Sequence, residues 1–407
     1  MKNIYLKDKN INKKVLNAFK KISPSRINIE DHHTIVKYQK WHNQLFFNLK
    51  FPTKMFNQSN VIDFGCGTGE VDIILGKYGA KIFGFDFNNI SIDRANILKK
   101  KFELTQSLNF KVKDISKIKV KKNTYDIAFS AGVIAHVKNP KLLFEKMCDT
   151  TKVNGYLILG YVEDSGLIQR LFHRAIVQKF KTLDFNKQKK IALKFFPKHI
   201  ERSIKYGARS ADTVINDYIV NPLYNGLNIK DLNKWALKKN FRFYSSVPNL
   251  NTSFVANPAY IKQIDFLNTE YNTLLSFNRL RWMFAQNSDD KVFKKFNLNS
   301  TSLSKQIEDY MGSLYTDLQS DNINYSNLYK SSLKARKLNT EIYKYIENFN
   351  KTITANIFNS VESIINLTSA LKENKIKSFN KTSTLTKDIF KGYNGLGTSY
   401  AIWEKLK

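Results

Sequence analysis

The chain has 407 residues, with 66 Lys and Arg against 34 Asp and Glu for a net charge of +32, and 42% hydrophobic side chains. That apolar share excludes a wholly disordered chain, and at ~150 residues per domain the length suggests two or three structural units. Two cysteines, Cys66 and Cys148, exclude a disulfide framework and a zinc quartet. The start holds no apolar stretch of signal-peptide length, and no window approaches the ~18 uninterrupted apolar residues of a membrane span, so a soluble, cytoplasmic protein without a membrane span is expected.

Residues 1–57 read as a polar helical cap, in which Trp41, Leu45 and Leu49 recur at the spacing of one helix face. The period then changes. Val61-Ile62-Asp63-Phe64 is a short apolar run stopped by Gly65, which reads as a buried strand. A helix follows over Val71 to Tyr78, ended by Gly79, and then a strand at Lys81 to Asp86. Residues 90–103 carry Ile90, Ala95, Ile97 and Leu98 on a helix, and further strands are expected at Asn109 to Lys113 and Tyr125 to Ser130. Lys141 to Cys148 reads as helix, and Gly155 to Gly160 as a fifth strand behind an Asn154-Gly155 turn. Strand alternating with helix five times predicts a doubly wound, mostly parallel sheet covered on both faces.

After Glu163 the rhythm breaks. Residues 165–240 read as mostly helical, interrupted by Pro197 and Asn221-Pro222, and Phe241 to Val247 is rich in β formers. Residues 258–375 read as all-helical, with Ile353, Ile357, Val361, Ile364, Ile365 and Leu371 on one long amphipathic helix. Gly395 to Trp403 returns to strand-like composition. Placed back in the sheet, that last segment makes seven strands and turns 258–390 into an insertion serving as a lid or a homodimer surface. The alternative is an independent C-terminal helical subdomain.

The charge is uneven, with 45 basic and 20 acidic residues over 1–250 but 21 and 14 over 251–407. Lys and Arg that neutralise phosphates give sequence-independent affinity for nucleic acid. However, the densest runs, Lys99-Lys100-Lys101 and Lys111 to Lys122, lack the interleaved aromatics and Arg of a stacking surface. They read more simply as solvated surface.

The sharpest feature is Asp63-Phe64-Gly65-Cys66-Gly67-Thr68-Gly69 between the first strand and its helix. Glycines at spacing two let a backbone turn tightly and approach a ligand, and the helix that follows aims its N–H groups at the loop. Asp86 ends the next strand, where a carboxylate can accept both hydroxyls of a ribose. A pyrophosphate loop wants Gly-x-Gly-x-x-Gly, whereas here the spacing is Gly-x-Gly-x-Gly with Asp63 two positions ahead. An acid there repels a pyrophosphate and suits a cationic ligand with an amino-acid end.

At these residues the sequence resembles the class I S-adenosylmethionine-dependent methyltransferases (type 11/12-like, transferases of a Rossmann-like fold), over roughly residues 59–162. Val61 to Glu70 looks like the family's first motif, and Gly84-Phe85-Asp86 with Ile92 and Ala95 like its second strand and helix. Lys113-Asp114-Ile115 sits where the family has its adenine-side acid, and Tyr125 to Val137 looks like the fourth strand and the turn after it. Val153 to Leu159 resembles the fifth strand and its turn. The resemblance implies S-adenosyl-L-methionine as cofactor, with Gly65, Cys66, Gly67 and Gly69 under its methionine portion and Asp63 near its amino group. By the same resemblance Asp86 would hold the ribose, Phe87 would lie against the adenine, Asp114 and the Ile115 backbone would meet the adenine edge, and Ser130 the methionine end.

Methyl transfer is an in-line displacement in which proximity alone contributes up to ~7–11 kcal/mol, so no catalytic residue is guaranteed. His136 is the candidate general base, with a hydrogen-bonded structural role as the alternative reading. His32, His33 and His42 lack a completing carboxylate or cysteine, so no metal is expected. The substrate wall is expected between the fifth and sixth strands, with Arg209, Asp217, Tyr218 and Asn221 in a polar, aromatic stretch bounded by Gly207 and Pro222. It loosely resembles a subset of bacterial small-molecule methyltransferases. The resulting organisation is a cap at 1–57, a methyltransferase-like core at 58–257 with a pocket insertion at about 165–240, helices at 258–390 and a returning strand in 391–407. The expected reaction is methyl transfer to a small molecule or saccharide; the alternative is a tRNA or rRNA methyltransferase using the basic surface.

Overall fold

A computed structural model describes residues 10–22, 32–207, 210–250, 279, 301–320, 322–346, 351–378 and 398–407. Two compact units emerge: one comprises Met1–Val162, Pro222–Ile264 and Thr398–Lys407, the other Glu163–Asn221 and Asp265–Gly397.

The first unit holds a seven-stranded sheet. Its strands are β1 (Asn60–Phe64), β2 (Lys81–Asp86), β3 (Leu108–Val112), β4 (Tyr125–Ala131), β5 (Thr151–Val162), β6 (Phe241–Val247) and β7 (Thr398–Lys405). They lie in the order β3-β2-β1-β4-β5-β7-β6, with β1 to β5 parallel and β7 antiparallel to both neighbours. The seven-stranded, mostly parallel α/β sheet expected from the sequence is therefore present. The buried centre strands read as continuous apolar runs, as a sheet covered on both faces requires. Strand order reverses between β1 and β4, and ligands of such sheets bind in the crevice beyond the strands' carboxyl ends at that switch point.

Six helices belong to this unit's described residues: α1 (Ile11–Lys21), α2 (His32–Asn48), α3 (Glu70–Lys77), α4 (Asn89–Lys101), α5 (Pro140–Thr150) and α10 (Ile229–Leu237), with a 3-10 turn at Thr53–Phe56 and another at Ile134–His136 adding short helical pieces. Local chemistry fixes their starts. Asn88 caps α4 by accepting from the Ile90 N–H, and Asn139 accepts from Leu142 ahead of Pro140, whose fixed φ suits a first helical turn. The buried face of α2 differs from the sequence reading. Ile35, Tyr38, His42, Phe46 and Leu49 face the core, while Trp41 stays half exposed against Tyr38. His42 tolerates burial because its Nδ1 reaches the Tyr38 carbonyl at 2.9 Å.

The second unit contains α6 (Asp164–Lys179), α7 (Phe185–Phe195), α8 (Pro197–Gly207), α9 (Ala211–Ile215), α11 (Thr301–Leu318), α12 (Tyr325–Ile346) and α13 (Lys351–Lys372). Helix α11 packs along α6, α12 along α11, and α13 along α12. Ser332 and Thr368 share a hydrogen bond of 2.7 Å between α12 and α13, beside an Arg336–Glu362 pair. The long helix expected from residue 353 to 371 is α13; the helical reading of 258–300 and of 379–390 falls outside the described residues, Arg279 apart.

The described division departs from the expected pocket insertion at 165–240. Residues 222–240 group with the sheet, because the Leu227 N–H donates to the Val162 carbonyl and Asn233 on α10 accepts from the buried Trp403 indole at 3.2 Å. Residues 163–221 group instead with the helices that follow β6.

Candidate active site

The loop after β1 is held by main-chain bonds: the Gly65 and Cys66 N–H groups both donate to the Phe85 carbonyl, and Gly69 N–H to the Cys66 carbonyl. Gly65 has φ +87°, and a Cβ there would stand 2.5 Å from Val133, so only glycine fits. Gly67, at φ +54°, is different: a Cβ would meet nothing within 4 Å. The loop therefore presents bare backbone to open space at its middle glycine, the shape of a cradle.

Carboxylates crowd around this cradle. Asp86 Oδ2 accepts from the Gly67 N–H at 3.2 Å and its Oδ1 from Asn88 N–H at 2.8 Å, so β2 fixes the loop directly. Two lone-pair sites remain on the Asp86 carboxylate for an outside donor. Burial pushes the Asp86 carboxyl up to about 6 despite these backbone donors. Asp63 is buried, and burial with the nearby Asp86 charge raises its carboxyl well above the usual range. Its Oδ1 meets no hydrogen-bond partner among the described residues. Asp72, on the first turn of α3, is wholly buried, and burial next to Asp63 and Glu70 raises it further. Glu70 itself accepts from the Thr68 hydroxyl at 2.5 Å.

The remaining expected residues fall at the same edge with different tasks. Lys113 N–H bonds the Asp86 carbonyl, which brings Asp114 beside the end of β2. There Asp114 Oδ1 accepts from the Ser116 N–H and hydroxyl, and the Ile115 carbonyl accepts from Lys146 at 2.9 Å. Ser130 is fully buried and its hydroxyl donates to the Phe64 carbonyl at 2.8 Å, so its side chain ties β4 to the start of the loop rather than facing a ligand. Phe87 packs, with Phe19, on a small apolar cluster of Ile11, Val15 and Leu223. The thiol of Cys66 is buried, with Sγ 3.8 Å from the Gly67 carbonyl, and burial pushes its ionisation up. His136 Nδ1 lies 2.9 Å from the Leu223 carbonyl, and its ring meets Phe19 and Tyr224 edge-on. With Nδ1 donating, Nε2 is the nitrogen that keeps the lone pair.

Of the expected substrate residues, Asp217 and Asn221 are buried within the second unit. Arg209 and the Tyr218 side chain lie outside the described residues. Sequence reasoning missed Asp72, although an acid inside the apolar run Val71-Asp72-Ile73-Ile74-Leu75 was the available signal. It also missed the buried polar residues of α6, where Gln169, Arg170 and His173 share the interior with His199 of α8.

A family profile described as "Methyltransferase domain" matches residues 56–387, most of the chain. The chain belongs to this methyltransferase family. It is similar to malonyl-[acyl-carrier protein] O-methyltransferase 2 of Ilyobacter polytropus, 34% identical over 102 residues. That match covers 25% of this chain and 38% of the relative, so the chain spans well under two thirds of it. Among solved structures it is similar to a putative S-adenosylmethionine-dependent methyltransferase from Listeria monocytogenes, at 17% identity and TM-score 0.35, covering 55% of this chain and 90% of that one. It is also similar to a putative sarcosine dimethylglycine methyltransferase from Galdieria sulphuraria, at 10% identity and TM-score 0.37, covering 98% of each.

The residues around the glycine loop fit a cationic ligand with an amino-acid end. Open space above Gly67 admits a ligand against bare backbone, and an orphaned oxygen on buried Asp63 suits a cation. No group of three or more His, Cys, Asp and Glu side chains arranged for a metal occurs among the described residues, and no described helix is long and apolar enough to cross a membrane.

Proposed function

We propose that the enzyme transfers a methyl group from S-adenosylmethionine to a small, polar acceptor such as a hydroxylated metabolite or saccharide. When bound, the cofactor supplies an electrophilic methyl on a sulfonium. Gly65, Cys66, Gly67 and Gly69 would shape the floor under its amino-acid portion, Asp63 would face its ammonium, and Asp86 would accept from the ribose hydroxyls. Asp114 and the Ile115 backbone would border the adenine. Phe87, held by α1, would be the apolar wall on that side. For an oxygen acceptor, His136 Nε2 would take the proton, its ring held by the Leu223 carbonyl. An acceptor that arrives already ionised needs no base.

The observation that carries this reading is the pairing of an open glycine cradle with buried acids beneath it. Asp217 and Asn221, both buried, are proposed as polar contacts of a small acceptor. Arg209 and Tyr218 are proposed for the same acceptor.

Purified enzyme incubated with methyl-labelled S-adenosylmethionine and separately with a metabolite pool, oligosaccharides and total RNA tests this. Label in the first two fractions and not in RNA supports the small acceptor. Label confined to tRNA or rRNA, with binding that weakens steeply as salt rises, overturns it in favour of the basic surface.

A further inference from the structure

Asp63 at the end of β1 and Asp72 on the first turn of α3 are both buried, and both Asp72 oxygens and Asp63 Oδ1 meet no hydrogen-bond partner among the described residues. Burial and the neighbouring Asp63 charge push the Asp72 carboxyl up. Two such carboxyls can satisfy each other only if one of them holds a proton. The direction of the bond follows from position. Asp72 is wholly inside, on α3 between the sheet and α4, with Asp63 and Glu70 the charges nearest it. Asp63 is at the end of β1, next to the loop, and faces Asp72 and Asp86. The deeper acid keeps the proton and donates it; the shallower one accepts it and carries the charge. Among the described residues the Cys66 thiol also belongs to the group, and burial pushes its ionisation up.

We propose that Asp72 is a positioning residue for cofactor binding: its protonated carboxyl clamps Asp63, so that one shared negative charge is aimed from beneath the glycine loop at the ammonium of the cofactor's amino-acid end. Without the clamp, Asp63 is a lone buried carboxylate on a strand end, with a free rotor and an unsatisfied partner behind it. With it, the pair has one orientation, one charge and one proton. The arriving ammonium shifts that balance. A cation next to Asp63 favours the ionised form of the pair, so cofactor binding and proton release are linked. Binding should therefore strengthen from mildly acidic to mildly alkaline pH and release part of a proton where the pair is still protonated. This inference rests on the reading that Asp63 faces the cofactor's amino group.

The test compares three ligands on four proteins by titration calorimetry: S-adenosylmethionine, S-adenosylhomocysteine, and 5′-methylthioadenosine, which keeps the nucleoside and lacks the amino-acid end. The proteins are wild type, Asp63→Asn, Asp72→Leu and Asp72→Asn. Asp72→Leu removes the donor at similar volume, while Asp72→Asn keeps a donor. We expect Asp72→Leu to weaken S-adenosylmethionine and S-adenosylhomocysteine at least tenfold and methylthioadenosine less than twofold. A general loosening of the site would weaken all three alike. Asp72→Asn, which still donates to Asp63, should stay within threefold of wild type at pH 8. Wild-type affinity for all three ligands in Asp72→Leu, or an equal loss for all three, overturns the proposal. So does a loss in Asp72→Asn as large as that in Asp72→Leu. If Asp63→Asn binds S-adenosylmethionine as tightly as wild type, the placement of Asp63 itself fails. If Asp63→Asn is weakened and Asp72→Leu is not, only the role of Asp72 fails. Asp72→Asn, close in shape and able to donate, keeps the comparison open if Asp72→Leu folds poorly.

Discussion

The two ends of one sheet treat the same side chain in opposite ways. At the amino end of β4, partial burial is the largest single influence on Asp126 and pushes its carboxyl up, yet the Lys152 ammonium at 2.8 Å and the Asn60 N–H at 2.8 Å together outweigh it and hold the carboxyl below the usual range. At the carboxyl ends of β1 and β2, Asp63 and Asp86 are raised, burial outweighing every donor they have. The protein completes the charge at one end with its own lysine. At the other end it collects acids, and among the described residues no cation pairs with Asp63. A site that gathers like charges in low dielectric costs stability, and this is the usual mark of a place built for a ligand.

That contrast can be broken in several ways, and the largest effect belongs to Asp86. Asp86→Ala removes the anchor of the Gly67 N–H together with the proposed ribose acceptor, so affinity for S-adenosylmethionine should fall by a factor of about ten to a hundred, as losing ~1–3 kcal/mol implies. Calorimetry at pH 8 checks it, and an unchanged Kd removes Asp86 from the site. Next comes Gly65→Ala, which places a Cβ 2.5 Å from Val133 at a φ of +87°. The strain is of order 1–3 kcal/mol, so the melting temperature should drop by several degrees; an unaltered melt shows that the loop can shift freely.

The pH dependence separates the two ends by sign. A carboxyl raised on folding contributes stability that is complete below the unfolded value near 4 and is lost as pH rises through the folded value, about 6 for Asp86 and higher for the Asp63–Asp72 pair. A lowered carboxyl, Asp126, acts oppositely: its contribution is present above about 4 and is lost as pH falls below it. Without cofactor, the melting temperature should decline from pH 5 to 8, and Asp63→Asn should flatten that decline; a decline of the same slope in the variant contradicts the assignment. His136→Gln tests whether the neighbouring turn supplies a base: a turnover that loses its dependence on one ionisation supports it, whereas an unaltered profile across pH 6–9 leaves His136 as the bond to Leu223. The smallest effect is expected from Asp126→Asn, whose partner is an exposed lysine. Such pairs contribute less than ~1 kcal/mol, and cofactor affinity should not move.

Much of the fold was legible because its elements announce themselves locally. The buried runs at 61–64 and 155–160, the glycine stops and the Asn caps each act within a few residues, and the order of β1 to β5 followed from their alternation with helices. The terminal strand was legible as β-rich composition, but not its place between β5 and β6, which depends on partners some 160 and 240 residues away. The same distance hid the boundary at 221, since Trp403 and Val162 decide where residues 222–240 belong. On α2, spacing alone chose Trp41 and Leu45, whereas a polar residue, His42, occupies the buried face once its ring bonds a carbonyl. At the site, the glycines, Asp63 and Asp86 were legible from motif spacing. Asp72 was not, because a helix read for its apolar positions passes over an acid that only tertiary packing buries. Ser130 shows the converse: its position at the strand tip suggested a ligand contact, and a hydrogen bond to the Phe64 carbonyl occupies it instead.

On the proposed reading, the acids at the carboxyl end of the sheet serve a cationic cofactor. One pair of titrations tests it most directly: S-adenosylmethionine into Asp63→Asn and into Asp126→Asn, at pH 8 by calorimetry. The expected result is at least tenfold weaker binding to the first and wild-type binding to the second. Equal affinity in the two variants would contradict it.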